Sequence, residues 1–291
     1  SSRETTHNEP LSENEIFSLL EQAKGIGIRV LVIAGEGEPF TNFSTKRIIA
    51  KAHSEGIIPY IFTNGSLLDE ETLLFLKKNN ASLVINIDSL NETLYESLVS
   101  VPHSLNKVLA NLELARKTFS GTKKDLDGHS ICHIALNTVV SNLNFEEAQK
   151  VAELCGEDFA FVCNSPILIG SAKTNDCFKL NQEAQNVLDE FGANYPPLGT
   201  GSDMVWCAYM HNGVSVGASG EILACAYSLE SANLLGNIRT NSLASFIGKA
   251  NTVVESFYSK NGHGRCVLRH PQYLNFIQKL RDSQFRGEAA P

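Results

Sequence analysis

Two sets of residues in this chain have types and spacings that suit chemistry. The first is Glu36-Gly37-Glu38-Pro39, which closes the apolar run Ile28-Arg-Val-Leu-Val-Ile-Ala-Gly35. Glycine lets a backbone approach a ligand closely, and proline fixes a turn. A buried strand that ends in such a turn opens onto a ligand. The second set is Cys207, Cys225 and Cys266. Cys207 precedes a hairpin pattern and Cys225 ends it, in the spacing Cys-x12-Gly-x4-Cys with Gly220 at the turn. A hairpin brings its two ends together, so two thiolates can share one metal centre. Cys266 follows Gly262-His-Gly264 and can fold back as a third ligand. A [4Fe–4S] cluster takes four thiolates. Zinc takes cysteine with histidine, here His263 or His270. Three buried thiols packing as small hydrophobes is the plain alternative.

The elements that must position these residues alternate between helical and strand periodicity. Leu11 to Gly25 has helical spacing, and Ile28–Gly35 reads as a strand. Phe43 to Glu55 is amphipathic, and Ile57–Phe62 is a second strand ending in Thr63-Asn64-Gly65. Asp69 is placed to cap a helix running to Lys78. Leu83–Ile87 is a third strand ending at Asp88-Ser89. Helical patterns return at 91–98 and 104–119, and 120–129 reads as a surface loop. Ile131–Val140 is a fourth strand, Phe145–Cys155 a helix and Phe159–Ile169 a fifth strand. Repeated βα units predict parallel strands with right-handed crossovers. In such folds the ligand sits at the carboxyl ends of the strands. Gly35–Pro39, Thr63–Gly65, Asp88–Ser89 and Val139–Asn142 would share that rim. The composition changes between residues 170 and 200. Beyond it lie a short helix (182–191), the hairpin 213–225, a helix over 242–258 and a final amphipathic helix.

The composition narrows the function. Lys and Arg (24) are outnumbered by Asp and Glu (32), for a net charge of −8, which argues against a general nucleic-acid or membrane-surface binder. No apolar run approaches the ~20 residues of a membrane span. The start, Ser-Ser-Arg-Glu-Thr-Thr-His-Asn-Glu, has no signal-peptide core. Seven cysteines without such a signal point to reduced thiols in the cytoplasm. Cys132, Cys155 and Cys163 lie in apolar patterns that predict core packing, with Cys163 also able to face a barrel interior.

Glu36-Gly37-Glu38-Pro39 resembles the Gly-Gly-Glu-Pro signature of radical S-adenosylmethionine enzymes, with Glu36 in place of the first glycine. Cys207, Gly220, Cys225 and Cys266 resemble the auxiliary-cluster modules that follow such domains, SPASM in the long form and twitch in the short form. Arg269 stands where the short form has its last cysteine. The resemblance covers nearly the whole chain. It implies an α/β fold: a partial (β/α)6 TIM-like barrel over residues 1–195, then a β-hairpin plus helix auxiliary domain over 196–291. It implies S-adenosylmethionine and a radical-generating [4Fe–4S] cluster as cofactors, with an auxiliary iron–sulfur cluster held by Cys207, Cys225 and Cys266. A fourth ligand would come from Cys163, Cys177, a histidine or substrate.

By the same resemblance Gly37, Glu38 and Pro39 would border the methionine end of the cofactor. Asn64, Asn86, Asp88 and Asn137 would make polar contacts to it. The Cys-x3-Cys-x2-Cys loop of the family does not occur in these residues, and the resemblance implies that it precedes Ser1. The implied activity is hydrogen-atom abstraction from a small molecule of sugar or aminocyclitol type, in an oxidation or epimerisation. Peptide cross-linking and a non-catalytic partner-binding relic are the alternatives. Implied partners are the substrate, small molecule or peptide, and an electron donor such as flavodoxin or ferredoxin, with no nucleic acid or membrane.

Overall fold

The computed structural model describes residues 9–35, 37–99, 101–120, 123–124, 130–166, 176–178, 180–194, 213–223 and 234–248. The elements in order are α1 Glu13–Gly25, β1 Val30–Ile33, α2 Ser44–Ser54, β2 Ile58–Thr63, α3 Glu70–Lys78, β3 Ser82–Asn86, α4 Glu92–Val99 and α5 Ser104–Thr118. There follow β4 Lys123–Lys124, β5 Ser130–Ile131, β6 Ile134–Val139, α6 Ala148–Cys155, β7 Ala160–Asn164 and α7 Gln182–Asn194. Last come β8 Ser215–Val216, β9 Glu221–Leu223 and β10 Leu234–Asn237. The chain divides into two units, residues 29–198 and residues 1–28 with 199–291.

Residues 29–198 carry a five-stranded sheet in the order β1-β2-β3-β6-β7, and every pairing is parallel. Strand alternation then sorts the side chains onto two faces. Ile33, Ile61, Leu83, Ile85, Ile134, Leu136, Phe161 and Cys163 pack on one face. Against them lie Ile49 of α2, Leu73 and Leu76 of α3, Val108 and Leu112 of α5, Val151 of α6, and Ala184 and Phe191 of α7. The alternate residues form the other face: Val30, Val32, Tyr60, Phe62, Val84, Asn86, Ala135, Asn137, Val162 and Asn164. Val30 and Val32, on the edge strand, are 47% and 41% exposed. Helices on one face of a parallel sheet, with side chains lining the other, are the arrangement of a barrel wall. The α/β class and the five parallel strands therefore agree with the expectation.

The helix starts follow from local chemistry. Asp69 caps α3 by accepting from the Thr72 N–H at 2.8 Å, as the sequence predicts. Ser12 and Glu15 form a reciprocal capping box at α1.

In the second unit β8 and β9 form the expected hairpin, and β10 pairs antiparallel with β9. α1 groups with this unit. The structure differs from expectation in three places. Ser242–Tyr258 was expected to be a helix, but Leu243–Phe246 is a 3-10 turn, after which Gly248 turns left-handed at φ +81. Residues 249–258 lie outside the described part. β10 was not anticipated, since four residues around Gly236 carry little strand signal. Within the expected loop 120–129, Lys123–Lys124 form β4, which pairs antiparallel with β5 just beyond it.

Candidate functional site

Side chains tie the turn after β1 to the turn after β2, and the carboxyl ends of β3, β6 and β7 to one another. Glu38 is the first tie. Its Oε1 accepts from Thr63 Oγ1 at 2.7 Å and from the Phe40 N–H at 3.3 Å. Its Oε2 accepts from the Asn64 N–H at 2.8 Å. Glu38 thus holds the turn after β1 against the turn after β2. Pro39 begins a 3-10 turn to Thr41, and Thr45 of α2 donates to its carbonyl at 2.6 Å. Gly37 sits at φ +90, with open space where a Cβ would be. Glu36 lies outside the described residues.

The turn after β2 depends on close packing. Gly65 has φ +76, and a Cβ there would lie 3.0 Å from Ile85 Cγ2 and 3.3 Å from Val108 Cγ1. Asn111 of α5 donates to the Gly65 carbonyl at 2.8 Å. The Asn64 side chain accepts from the Ser66 N–H at 2.9 Å, an Asx turn beside the strand end.

The second tie is an amide strip across three neighbouring strands. Asn137 Nδ2 donates to Asn86 Oδ1 at 2.9 Å, and Asn164 Nδ2 donates to Asn137 Oδ1 at 2.8 Å. Asn86 and Asn137 are direct register partners, and all three lie on the face opposite the helices. Asn137 is buried, so its amide is held from both sides. The strand residues beneath the strip are apolar, and the Tyr60 and Phe62 rings meet edge to face at 5.6 Å. Strand positions on this face include no Lys or Arg.

Asp88 closes the rim. Its Oδ1 accepts from the Val139 N–H at 2.8 Å, replacing a backbone partner past the end of β3. Asn144 donates to the Asp88 carbonyl at 2.7 Å and the Val139 carbonyl at 3.0 Å. Burial pushes the Asp88 carboxyl up to about 6, the Val139 N–H opposing only part of the shift. The Tyr95 hydroxyl is pushed up to about 12, by burial first and then by the Asp88 charge. Below the rim Glu147 Oε2 accepts from Ser89 Oγ, the Leu90 N–H and the Asn91 N–H. Lys150 holds its other oxygen at 2.5 Å. This cluster is structural, fixing the start of α4.

The geometry therefore gathers Gly37, Glu38, Pro39, Asn64, Asn86, Asp88 and Asn137 around one sheet end. Asn164 joins them, and sequence reasoning missed it. The signal was the alternation of Ala160, Val162 and Asn164 in β7. Cys207, Cys225 and Cys266 lie outside the described residues. Among the described residues, Cys132, Cys155, Cys163 and Cys177 are in no disulfide. Burial pushes Cys155 and Cys163 up to about 12. Cys163 packs with the helix-side core and not on the opposite face. Chemically, the rim offers amide donors and acceptors, one carboxyl that titrates near neutrality, and an apolar floor.

The sequence profile of the radical SAM superfamily matches residues 2–155, more than half of the chain. The chain belongs to the radical SAM superfamily. Membership implies S-adenosylmethionine and a [4Fe–4S] cluster as cofactors. The AdoMet-dependent heme synthase of Methanosarcina barkeri (strain Fusaro / DSM 804) is 28% identical over 148 residues, 50% of this chain and 39% of that protein. The chain thus spans well under half of this curated relative. Streptococcus suis SuiB has a similar structure, with TM-score 0.65 and 17% identity over 93% of this chain and 69% of SuiB. Native anSMEcpe with bound AdoMet gives TM-score 0.60 and 15% identity over 86% of this chain and 76% of its own. At such identities the likeness establishes the fold. Among the described residues of this radical SAM chain no helix is long and apolar enough to cross a membrane.

Proposed function

We propose that residues 29–198 form the S-adenosylmethionine-binding wall of a radical enzyme that oxidises its substrate after hydrogen-atom abstraction. The observation that carries this reading is the Asn86–Asn137–Asn164 strip at the carboxyl ends of three adjacent parallel strands. Ligands of barrel folds sit at that end.

The residues fit the cofactor. S-adenosylmethionine has amino, carboxylate, hydroxyl and adenine groups that need donors and acceptors along one line, and the strip supplies both. Its adenine and ribose need an apolar support, which Val84 and the Tyr60–Phe62 pair offer. Gly37 leaves room for close backbone approach. Glu38 acts through position, since its oxygens are occupied by Thr63, Phe40 and Asn64. When bound and reduced by one electron from an iron–sulfur cluster, the cofactor supplies a carbon radical that takes a hydrogen atom from substrate.

Cys207, Cys225 and Cys266 are proposed as ligands of an auxiliary iron–sulfur cluster, with residues 196–291 as its domain. For the substrate, a peptide is the favoured class: SuiB has been solved bound to its precursor peptide SuiA, and anSMEcpe with AdoMet and a peptide. The small cysteine set favours a second reading, a sugar or aminocyclitol. A flavodoxin or ferredoxin in a reducing cytoplasm would supply the electrons.

Isothermal calorimetry of S-adenosylmethionine with the anaerobically isolated, cluster-loaded gene product tests the reading. Binding that weakens about tenfold or more in Asn137→Leu supports it. Binding unchanged by that substitution overturns it.

A further inference from the structure

A cavity of about 710 Å³ opens beside the rim, and no residue of the amide strip lines it. One wall is Asn91 with Leu94 of α4, and the other is the segment after β6, with Asn142, Leu143 and Glu146. β3 and β6 are paired neighbours, so the segments that leave their carboxyl ends lie side by side. Asn144, which donates to the Asp88 carbonyl, also lines the cavity and joins it to the rim.

Each wall carries an amide that is fixed by its oxygen. Asn91 Oδ1 accepts from the Leu94 N–H at 3.0 Å, and the Asn91 N–H is held by Oε2 of the buried Glu147 at 3.1 Å. Asn142 Oδ1 accepts from the Asn181 N–H at 2.6 Å. The acceptor end of each amide is thus in use, and its Nδ2 is the donor that remains. Neither Nδ2 has a partner among the described residues. Leu94 and Leu143, the latter 41% exposed, add apolar surface. No Lys, Arg or His lines the cavity, and its charged residues are Glu146 and Glu147. A phosphate or carboxylate ligand therefore finds no countercharge there.

We propose that this cavity binds an uncharged, extended stretch of the peptide substrate, away from the residue that reacts. Asn91 and Asn142 donate to main-chain carbonyls, and Leu94 with Leu143 receives an apolar side chain. Main-chain hydrogen bonds with a pocket for one side chain are a recurrent mode of peptide recognition. The volume falls in the range of small-ligand sites. No bond is made or broken in this cavity. The inference rests on the reading of residues 29–198 as the wall of a radical enzyme that acts on a peptide.

The probe is the neutral capped peptide acetyl-Ala-Leu-Ala-N-methylamide, added to the complete gene product loaded with iron and sulfide without oxygen. The side-chain NH2 resonances of Asn91 and Asn142 are followed by nuclear magnetic resonance. The resonance lost in Asn91→Asp or in Asn142→Asp assigns each. Aspartate keeps the oxygen that accepts from the Leu94 or Asn181 N–H and replaces the donor with an acceptor, so the local fold is retained. Saturable shifts of both resonances, with a dissociation constant tighter than about 1 mM, are expected. In Asn91→Asp the Asn142 resonance should report binding about tenfold weaker, and the Asn91 resonance should do the same in Asn142→Asp. Weaker binding in the wild type, shifts that do not saturate, or equal affinity in wild type and both variants overturns the proposal. So does saturable binding of glucose at these amides in place of the peptide. Calorimetry of S-adenosylmethionine separates the two readings. Intact, Asn137-dependent cofactor binding without peptide binding sinks the cavity proposal alone. Peptide binding as expected, with cofactor affinity that ignores Asn137→Leu, supports the cavity and sinks the reading of the strip.

Discussion

Asn137 donates through Nδ2 to Asn86 Oδ1 at 2.9 Å, across two parallel strands in direct register. Asn164 donates to the other side of the same buried amide. Leucine at position 137 is close in shape but leaves Asn86 Oδ1 and Asn164 Nδ2 without their partner. Asn137→Leu is expected to lower stability by about 1–3 kcal/mol, measured by urea unfolding. Asn86→Leu should cost less, because Asn86 sits at the end of the strip and has one bond within it.

Glu38 should show a graded response. Alanine removes the acceptor for Thr63, Phe40 and Asn64 together, and a loss of about 2–4 kcal/mol is expected. Glutamine keeps one acceptor oxygen for the fixed Asn64 N–H, so Glu38→Gln should lose about 1 kcal/mol. Equal losses for the two variants in urea unfolding would contradict the positioning role.

Asp88 predicts a pH dependence. Its folded carboxyl titrates near 6, above the ordinary 3.8, because burial disfavours the charge. The folded chain therefore holds a proton that the unfolded chain has released between those values. Stability from this group is present in full below pH 3.8 and is lost as pH rises through about 6. Asp88→Asn keeps an acceptor for the Val139 N–H and removes the charge. Unfolding at pH 7.5 should then be harder by on the order of 1 kcal/mol, with the pH 4–6 slope flattened.

Glu15 and Arg239 predict the opposite slope. Arg239 Nε donates to Glu15 Oε1 at 2.6 Å, and its other nitrogens reach the Glu9, Pro10 and Ser219 carbonyls. The Arg239 bond, followed by the Ser12 bonds, lowers the Glu15 carboxyl from 4.5 to about 2. Stability from this pair is present above pH 4.5 and is lost as pH falls toward 2. Arg239→Ala should flatten that acid limb and reduce its salt sensitivity. Thermal unfolding between pH 2 and 7 checks both.

The five parallel strands and the helices of residues 29–198 were legible because each carries a short-range period and a bounding turn. Asp69 as a cap and Gly37–Pro39 as a strand-end turn were readable for the same reason. The Glu15–Arg239 pair was not, because it joins positions 224 apart and surface charges carry no pattern that names a partner. Asn164 was overlooked because one polar residue at a strand end looks like a turn former. The role of Glu38 in holding Thr63, Phe40 and Asn64 was not legible, because it joins turns that follow different strands. Cys207, Cys225 and Cys266 have a readable spacing and lie outside the described residues.

The most direct test of the central claim is reductive cleavage of S-adenosylmethionine by the complete gene product, isolated without oxygen and loaded with iron and sulfide. Formation of 5′-deoxyadenosine by the wild type, and its loss in a folded Asn137→Leu variant, is the predicted result. Loaded wild-type protein that forms no 5′-deoxyadenosine, or a variant that forms as much as wild type, would contradict it.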